Sequence, residues 1–521
     1  MMTLRKRRVR RLLACLAAVG LGLLLLHLPW SPAQPPAKAA ADTNLPAEWV
    51  KSMAWRSIGP ANMGGRITAL AVYEADPTIY YVATASGGLL KTTNNGVTFQ
   101  HQFDRERTVS IGDVCVSQAN PNIVWVGTGE ANPRNSVSYG DGVYKSLDGG
   151  RTWKNMGLNK TFQIGRIAIH PKNPDIVYVG ALGRLYGPNP ERGLFKTTDG
   201  GKTWKKVLYT DDNTGVIDVK MHPTEPDTLL VAMWERKRDG FDSYIGEPLP
   251  DGLDGYDPVT RWGKSSGIYK TTDGGKTFQR MTRGLPTNSM GRIGLDYYRK
   301  DPRVVFAVVD CQKIGMGTPP KVVAAPGYLG IQGEDGDPGP GARITVVTPN
   351  GPADEAGLQV GDLIQGIGTV KIVDYGDLLD EIEKHVPGDK VKFAIRRDQQ
   401  ARAVEVTFGK RPGKFVGKGG PGGQKKGRPY YAYLGGQKEN VQDQQGVDSF
   451  EYGGIYKSTD GGESWARINS LNSRPMYFGE IRVDPTDERY LYHLGVALHR
   501  SSNGGRTFRP DGASGPRGAH A

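Results

Sequence analysis

One position of a nine-residue phrase that recurs six times holds Asp in four copies and Asn in two, and a carboxylate that returns with fixed neighbours is the first place to look for chemistry. The phrase reads KTTNNGVTF (91–99), KSLDGGRTW (145–153), KTTDGGKTW (196–204), KTTDGGKTF (270–278), KSTDGGESW (457–465) and RSSNGGRTF (500–508). Asp148, Asp199, Asp273 and Asp460 have the chemistry of a general acid or base, yet Asn94 and Asn503 hold the same position and carry no titrating proton. An amide replaces a carboxylate as a hydrogen-bond acceptor and not as a proton carrier, so the pattern assigns all six side chains to their own turns. The glycines that follow admit backbone angles closed to other residues, and the terminal Trp or Phe supplies a large ring to pack between sheets.

Carboxylates outside the phrase are the better catalytic candidates. Glu130, Glu235 and Asp310 occupy comparable loop positions in three successive repeat units. Cleavage of a glycosidic bond commonly uses two carboxylates roughly 5–9.5 Å apart, and the sequence leaves open whether any of these pairs meets that spacing. Metal and cofactor chemistry find no support: the eight histidines are scattered, and neither an HExxH motif nor a cysteine cluster occurs. Cys115 and Cys311, the two cysteines beyond the amino-terminal segment, read as separate buried thiols.

Each phrase closes a larger unit. In 164–204 a short apolar strand is followed by a proline-rich turn, the strand IVYVGA, a variable loop, the strand GLFKT and the turn TDGG. Four short strands per unit, repeated, read as the blades of a propeller, in which each sheet buries its faces only against its neighbours. Long insertions (130–141, 182–192, 234–267 and 326–410) all fall between second and third strands, so one face of the wheel is plain and the other elaborated. The elaborated face, with Arg134, Arg184, Arg236 and Arg238 among its residues, is the better binding surface. Arg66, Arg166 and Arg292 each follow a glycine where a blade begins, and their recurrence points to bonding with neighbouring strands more than to anion capture.

The phrase resembles the Asp-box, or BNR repeat, of sialidases, xyloglucan-type glycoside hydrolases and sortilin (VPS10) receptors. Together with the GRI motifs and the proline-rich turns, it is most similar to exported, sortilin-like bacterial proteins often labelled glycosyl hydrolase BNR repeat proteins. The resemblance covers 55–508 outside the insert and implies a mainly β fold, a propeller of about six visible blades. It does not choose an activity, since hydrolases and receptors share the repeat. A sialidase is disfavoured for want of its amino-terminal arginine motif. A ring of six and a chain short of its family's usual blade number, completed by another chain, both stay open.

The insert 326–410 resembles a PDZ domain of the bacterial protease-associated type, most specifically in NGPADEAGLQVGDLI (350–364). That resemblance implies a loop at Tyr328, Leu329, Gly330 and Ile331 whose backbone donors hold a peptide's terminal carboxylate. It also implies a helix within 375–386 whose Leu378, Leu379 and Ile382 wall or floor the groove. No serine protease context accompanies it.

The remaining organisation follows composition. RKRRVRR, the apolar run 12–28 and a Pro/Ala-rich stretch make residues 1–41 an export signal or an amino-terminal anchor, with 12–28 the only segment suited to membrane attachment. Blades one to five begin in 55–325, a Gly/Lys-rich linker spans 411–450, blades five and six finish in 451–508, and 509–521 is a tail. The net charge of +13 draws heavily on residues 5–11 and 409–429, so no nucleic-acid partner is expected. The leading functional expectation is a periplasmic or extracellular binding or scaffold protein, its PDZ groove taking peptide carboxyl ends and its loop face a protein or glycan. A glycoside hydrolase and an inactive fragment of a two-part propeller are the alternatives.

Overall fold

The computed structural model describes residues 65–510, apart from 135–136, 239–259, 314–326, 337–339, 383, 411–430, 433–435 and 496. The expected signal or anchor, the basic first half of the linker and the tail beyond 510 lie outside the described residues.

Six four-stranded antiparallel sheets follow one another along the chain. Their first strands are Ile67–Val72, Ile111–Val116, Ile164–Ile169, Thr214–Met221, Met290–Tyr297 and Glu480–Val483, and each of the first five packs against the first strand of the next sheet. These are the inner strands of six propeller blades. Second strands such as Val124–Thr128, Val177–Ala181 and Val305–Cys311 are buried throughout, which is why they read as unbroken apolar runs and not as alternating ones. Adjacent blades approach so closely that a methyl group at Gly127 would stand 2.4 Å from Ile164 Cγ2, and one at Gly112 would stand 2.1 Å from the Ile164 carbonyl. Glycine at both positions lets blade three seat against blade two. Cys115 and Cys311 are unpaired thiols that burial pushes up to about 12.

The repeated turn has one geometry in all six copies. Asp199 Oδ1 accepts from the Thr203 N–H (3.0 Å) and the Thr197 hydroxyl (2.8 Å), and its Oδ2 accepts from the Thr203 hydroxyl (2.6 Å). In the two asparagine copies the amide oxygen keeps the backbone bond, Thr98 N–H to Asn94 at 2.9 Å and Thr507 N–H to Asn503 at 3.0 Å. The amide nitrogen then donates to the threonine hydroxyl, at 2.9 Å and 2.8 Å, reversing the direction of the second bond without loss of it.

The turns at Gly149, Gly200 and Gly274 are also gripped by the blade before them. Lys91 and the Tyr81 hydroxyl of blade one donate to the Gly149 carbonyl at 2.8 and 3.0 Å, and Lys196 and Tyr178 of blade three treat Gly274 in the same way at 2.7 and 2.9 Å. In return Trp153 and Trp204 donate back to the carbonyls of Gln102 and Met156 at 2.7 and 2.8 Å. In these copies the first and last residues of the phrase are inter-blade fasteners, and the Asp or Asn holds the turn that presents them, whereas Trp465 donates to Gly462 of its own turn at 3.1 Å. Trp204 meets Trp125 edge to face at 5.9 Å, adding apolar contact to the bond.

The fifth sheet pairs Met290–Tyr297 and Val305–Cys311 with Gly454–Ser458 and Ala466–Asn469. The chain leaves it after the second strand, builds a separate β-sheet with two helices, Pro352–Glu355 (α1) and Tyr375–Ile382 (α2), and returns for the third. Val309 lies opposite Gly454, so departure and return occur at one end of the ladder.

Hydrogen bonds hold the Asp148 carboxyl down at about 2, the Thr152 hydroxyl first and its N–H next, and those of Asp199 and Asp273 lie well below the usual carboxylate range for the same reason. A depressed carboxyl contributes stability that is complete above about pH 4 and is lost as pH falls through its folded value. Asp199→Ala is expected to lower the thermal midpoint at pH 7, and Asp199→Asn to lower it less, because asparagine reproduces the bonds seen at 94 and 503. Thermal melts at pH 7 and pH 3 check this: the gap between wild type and Asp199→Asn should narrow at the lower pH.

Candidate functional site

Two places gather chemistry-bearing residues: the centre and loop face of the wheel, and the groove of the insert. At the centre Arg166 of blade three lies 2.9 Å from Asp218 of blade four, 3.4 Å from Asp113 of blade two and 2.7 Å from Glu480 of blade six. The carboxylates are themselves bonded to neighbouring inner strands: Asp113 accepts from the Ile167 N–H at 2.6 Å, Asp218 from Leu295 at 3.0 Å, and Asp296 from Val483 at 3.0 Å. Arg292 donates to Asn132 and to the Tyr477 carbonyl, both at 2.7 Å, and Arg66 makes a two-pronged pair with Glu130. All three arginines of the blade starts thus bind residues of other blades. The inner-strand aspartates escaped the sequence reading. Their signal is a lone charge inside an apolar strand, as in IGDVCV, where burial demands a partner.

Burial pushes the Asp113 carboxyl up to about 6, against the pull of Arg166. Glu480 is held well below its ordinary value, because Arg166, Arg482 and Arg292 together outweigh the cost of burying it. The directions differ because Glu480 pairs with Arg482 and Arg292 as well as Arg166, whereas Asp113 meets Arg166 at 3.4 Å.

Of the three candidate catalytic carboxylates, Glu130 is fully buried and committed to Arg66. Glu235 and Asp310 flank one dipeptide. Asp310 accepts from the Trp262 indole at 3.0 Å, while a methyl group at the adjacent Gly263 would collide with the Glu235 carboxylate. Burial raises the Glu235 carboxyl, Asp211 adds to the rise, and Arg192 opposes it. Asp310 is buried. Arg236 and Arg238 do not present charge to a ligand on the loop face: both are buried, donating to the carbonyls of Ala131 (2.6 Å) and Pro133 (2.9 Å). Blades one and six face each other across a small cavity of about 30 Å³ lined in part by Arg66, Arg292, Tyr477 and Glu480.

In the insert, strand Ile331–Asp335 is the edge of the sheet and helix α2 packs beside it. The preceding loop is anchored by reciprocal Tyr328–Gly409 backbone bonds of 2.9 Å and by the Ala353 N–H, which donates to the Leu329 carbonyl at 2.9 Å. Gly330 has φ +79, a left-handed turn that redirects successive N–H groups away from the sheet. Among the described residues, neither the Leu329 nor the Gly330 N–H donates to a protein acceptor. Leu329 and Leu378 are buried in the core of this domain, placing them under the groove, whereas Ile331 and Ile382 are half-buried and pack on that core. Leu379 points to the far end of the groove, where it lines a cavity with Asp335 and Tyr375 on one side and blade six on the other.

The architecture defines a class: a β-propeller of four-stranded blades that carries a PDZ domain within its fifth blade. Residues 327–408 match the PDZ domain family, and residues 141–285, in blades two to four, match the family described as sortilin, neurotensin receptor 3. The insert is 33% identical over 97 residues to the serine endoprotease DegS of Salmonella typhimurium, covering 16% of this chain and 27% of that one. The propeller is 24% identical over 257 residues to xyloglucanase Xgh74A of Acetivibrio thermocellus, covering 46% and 28%. The chain therefore spans about a quarter of the length of either relative. An ancestral GH74 enzyme of known structure aligns over 88% of this chain and 55% of its own, with 15% identity and a TM-score of 0.36. Among the described residues, no group of three metal-ligating side chains could hold an ion, and no helix is long and apolar enough to cross a membrane.

Arg166→Met is expected to destabilise the propeller by about 3–5 kcal/mol at pH 8, because three carboxylates lose their shared cation. Asp113 already titrates near 6, and loss of the cation raises it further. The variant's native state then binds protons that the unfolded chain does not, so its stability should rise as pH falls from 8 towards 5. Denaturant titrations at the two pH values measure that recovery against wild type.

Proposed function

We propose that the protein is an exported binding protein whose PDZ groove captures the carboxyl end of a peptide, with the elaborated propeller face as a second contact for protein or glycan. The observation that carries this reading is the open strand edge Ile331–Asp335 beside α2, ending at the Leu329–Gly330 donors. A terminal carboxylate placed there takes the N–H groups of the loop, and the peptide adds to the sheet as an antiparallel strand. Its last side chain enters between Ile331 and Ile382, above Leu329 and Leu378. The export assignment draws on the composition of residues 1–41.

Hydrogen bonds to a charged group contribute about 1.5–3 kcal/mol each, so amidating the peptide terminus is expected to weaken binding roughly 10- to 100-fold. Calorimetric titration of the full chain with paired free-acid and amide peptides reads this. Equal affinity for the two forms, or no binding across a diverse library of free carboxyl ends, overturns the reading.

A second reading, hydrolysis of a glycan, is favoured by one arrangement: Glu235, with its raised carboxyl, and Asp310 flank Trp262–Gly263. The partial similarity to a xyloglucanase makes a β-glucan panel that includes xyloglucan the substrate set to test. Release of reducing sugar by wild type, lost at least 100-fold in Glu235→Gln, is the expected outcome of this reading, and absence of release from every member of the panel removes it.

A further inference from the structure

We infer that blade six governs entry to the peptide groove through Tyr375, whose ring closes the groove over Gly333 and opens it by moving into a cavity walled by the propeller. The inference rests on the PDZ reading above and adds the regulation of the same site. Its structural basis is one contact on the edge strand and one void beside it.

The contact sets where the groove is closed. Ile331, Gly333 and Asp335 alternate onto one face of the edge strand, the face on which α2 packs. A methyl group at Gly333 would stand 2.6 Å from Cε2 and 2.8 Å from Cδ2 of Tyr375, so the ring lies directly on the strand. Burial raises the Tyr375 hydroxyl, and the Gly333 backbone and Arg509 oppose the rise, which puts the phenol oxygen beside the strand as well. A peptide that ends at the Leu329–Gly330 donors has its last residue beside Ile331 and its third from last beside Gly333. The ring therefore fills the place of that third side chain. Alanine there asks least of the ring, and leucine has to displace it.

The void gives the ring a second position. Tyr375 also lines a cavity of about 230 Å³ between the PDZ domain and blade six, with Leu379 on its own helix and Ser502, Thr507 and Pro510 opposite. A cavity of roughly 150 Å³ admits benzene, so this one has room for a phenol. One oxygen of Asp335 accepts the Tyr375 N–H at 3.0 Å, while the other lies 3.2 Å from Arg500 of blade six. That carboxylate ties the first residue of α2 to the edge strand and to the propeller. The helix end is thereby fixed, and the Tyr375 side chain is the part that moves. A peptide that needs the open position has its affinity reduced by the open fraction, and an open share of roughly a tenth to a third lowers it about three- to tenfold.

The test uses the full chain and two peptides identical except for Ala or Leu at the third residue from the carboxyl end, each as free acid and amide. Wild type should bind the Ala acid about three- to tenfold more tightly than the Leu acid, and in Tyr375→Ala that preference should fall to about one. Ser502→Trp places a ring in the cavity from the propeller side. Leu147 holds the matching position of blade two and stands exposed, so the turn accepts a large side chain. This variant should weaken the Leu acid by a further factor of about three to ten, leave the Ala acid unaffected, and lose its effect when combined with Tyr375→Ala. It carries the test by itself if Tyr375→Ala folds poorly. Equal binding of the Ala and Leu acids by wild type, a preference that survives in Tyr375→Ala, or wild-type binding of both peptides by Ser502→Trp overturns the gate. A loss of the Leu acid in Ser502→Trp that is equally large without the Tyr375 ring also overturns it, because the indole then blocks the peptide itself. Failure to discriminate acid from amide termini overturns the groove, an outcome distinct from loss of the gate alone.

Discussion

The wheel is organised around a half-buried guanidinium. Arg166 at the axis is within ion-pair distance of carboxylates on blades two, four and six, and those carboxylates in turn accept backbone N–H groups from adjoining inner strands. Inner strands of a propeller converge with their polar backbone edges pointing at a narrow centre, where water has little room and an unpaired N–H is costly. An aspartate placed in the strand supplies the acceptor, and the arginine then keeps several acceptors ionised in one small space. Asp113, pushed up to about 6 by burial, meets Arg166 at 3.4 Å, whereas Glu480 is held down because Arg482 and Arg292 join Arg166 beside it.

Further from the axis the blades are held by a different device, repeated and local. The Asp or Asn of each phrase closes its own turn, and at Gly149 and Gly274 the turn exposes a glycine carbonyl to the lysine and tyrosine of the preceding blade. A Trp reaching back, as at 153 and 204, makes the contact reciprocal. This division of labour explains why the phrase tolerates asparagine. Its work is geometric, and an amide with one reversed bond preserves the geometry.

The PDZ domain enters this frame where insertion disturbs it least. Val309 and Gly454 are already paired across the fifth blade, so the excursion between them leaves the ladder intact. The PDZ domain lies against the outer strands of blade six, with Arg500 on Asp335 and the cavity between them. A long connection adds little entropy per extra residue, so contact with a neighbouring blade decides where the module sits more than the linker does.

Periodicity and turn chemistry alone marked six four-stranded units and assigned the phrase to its own turns, because each is a local pattern repeated along the chain, and the insert stood out by interrupting that pattern. The groove was legible for a related reason: Tyr328 to Ile331 and the helix are close in a compact domain of recognisable type. What only the tertiary structure decided concerns residues far apart in sequence. Arg166 finds Glu480, Glu130 is claimed by Arg66, Arg236 and Arg238 turn inward to backbone carbonyls, and Asp310 and Glu235 come to lie beside Trp262 and Gly263 respectively. A charge in a loop looks available in sequence, and only packing shows whether burial has assigned it a partner. Arg500 stands for both cases. As the first residue of the last phrase it reads as another fastener, and its place beside the PDZ groove follows only from the folding of the insert onto blade six.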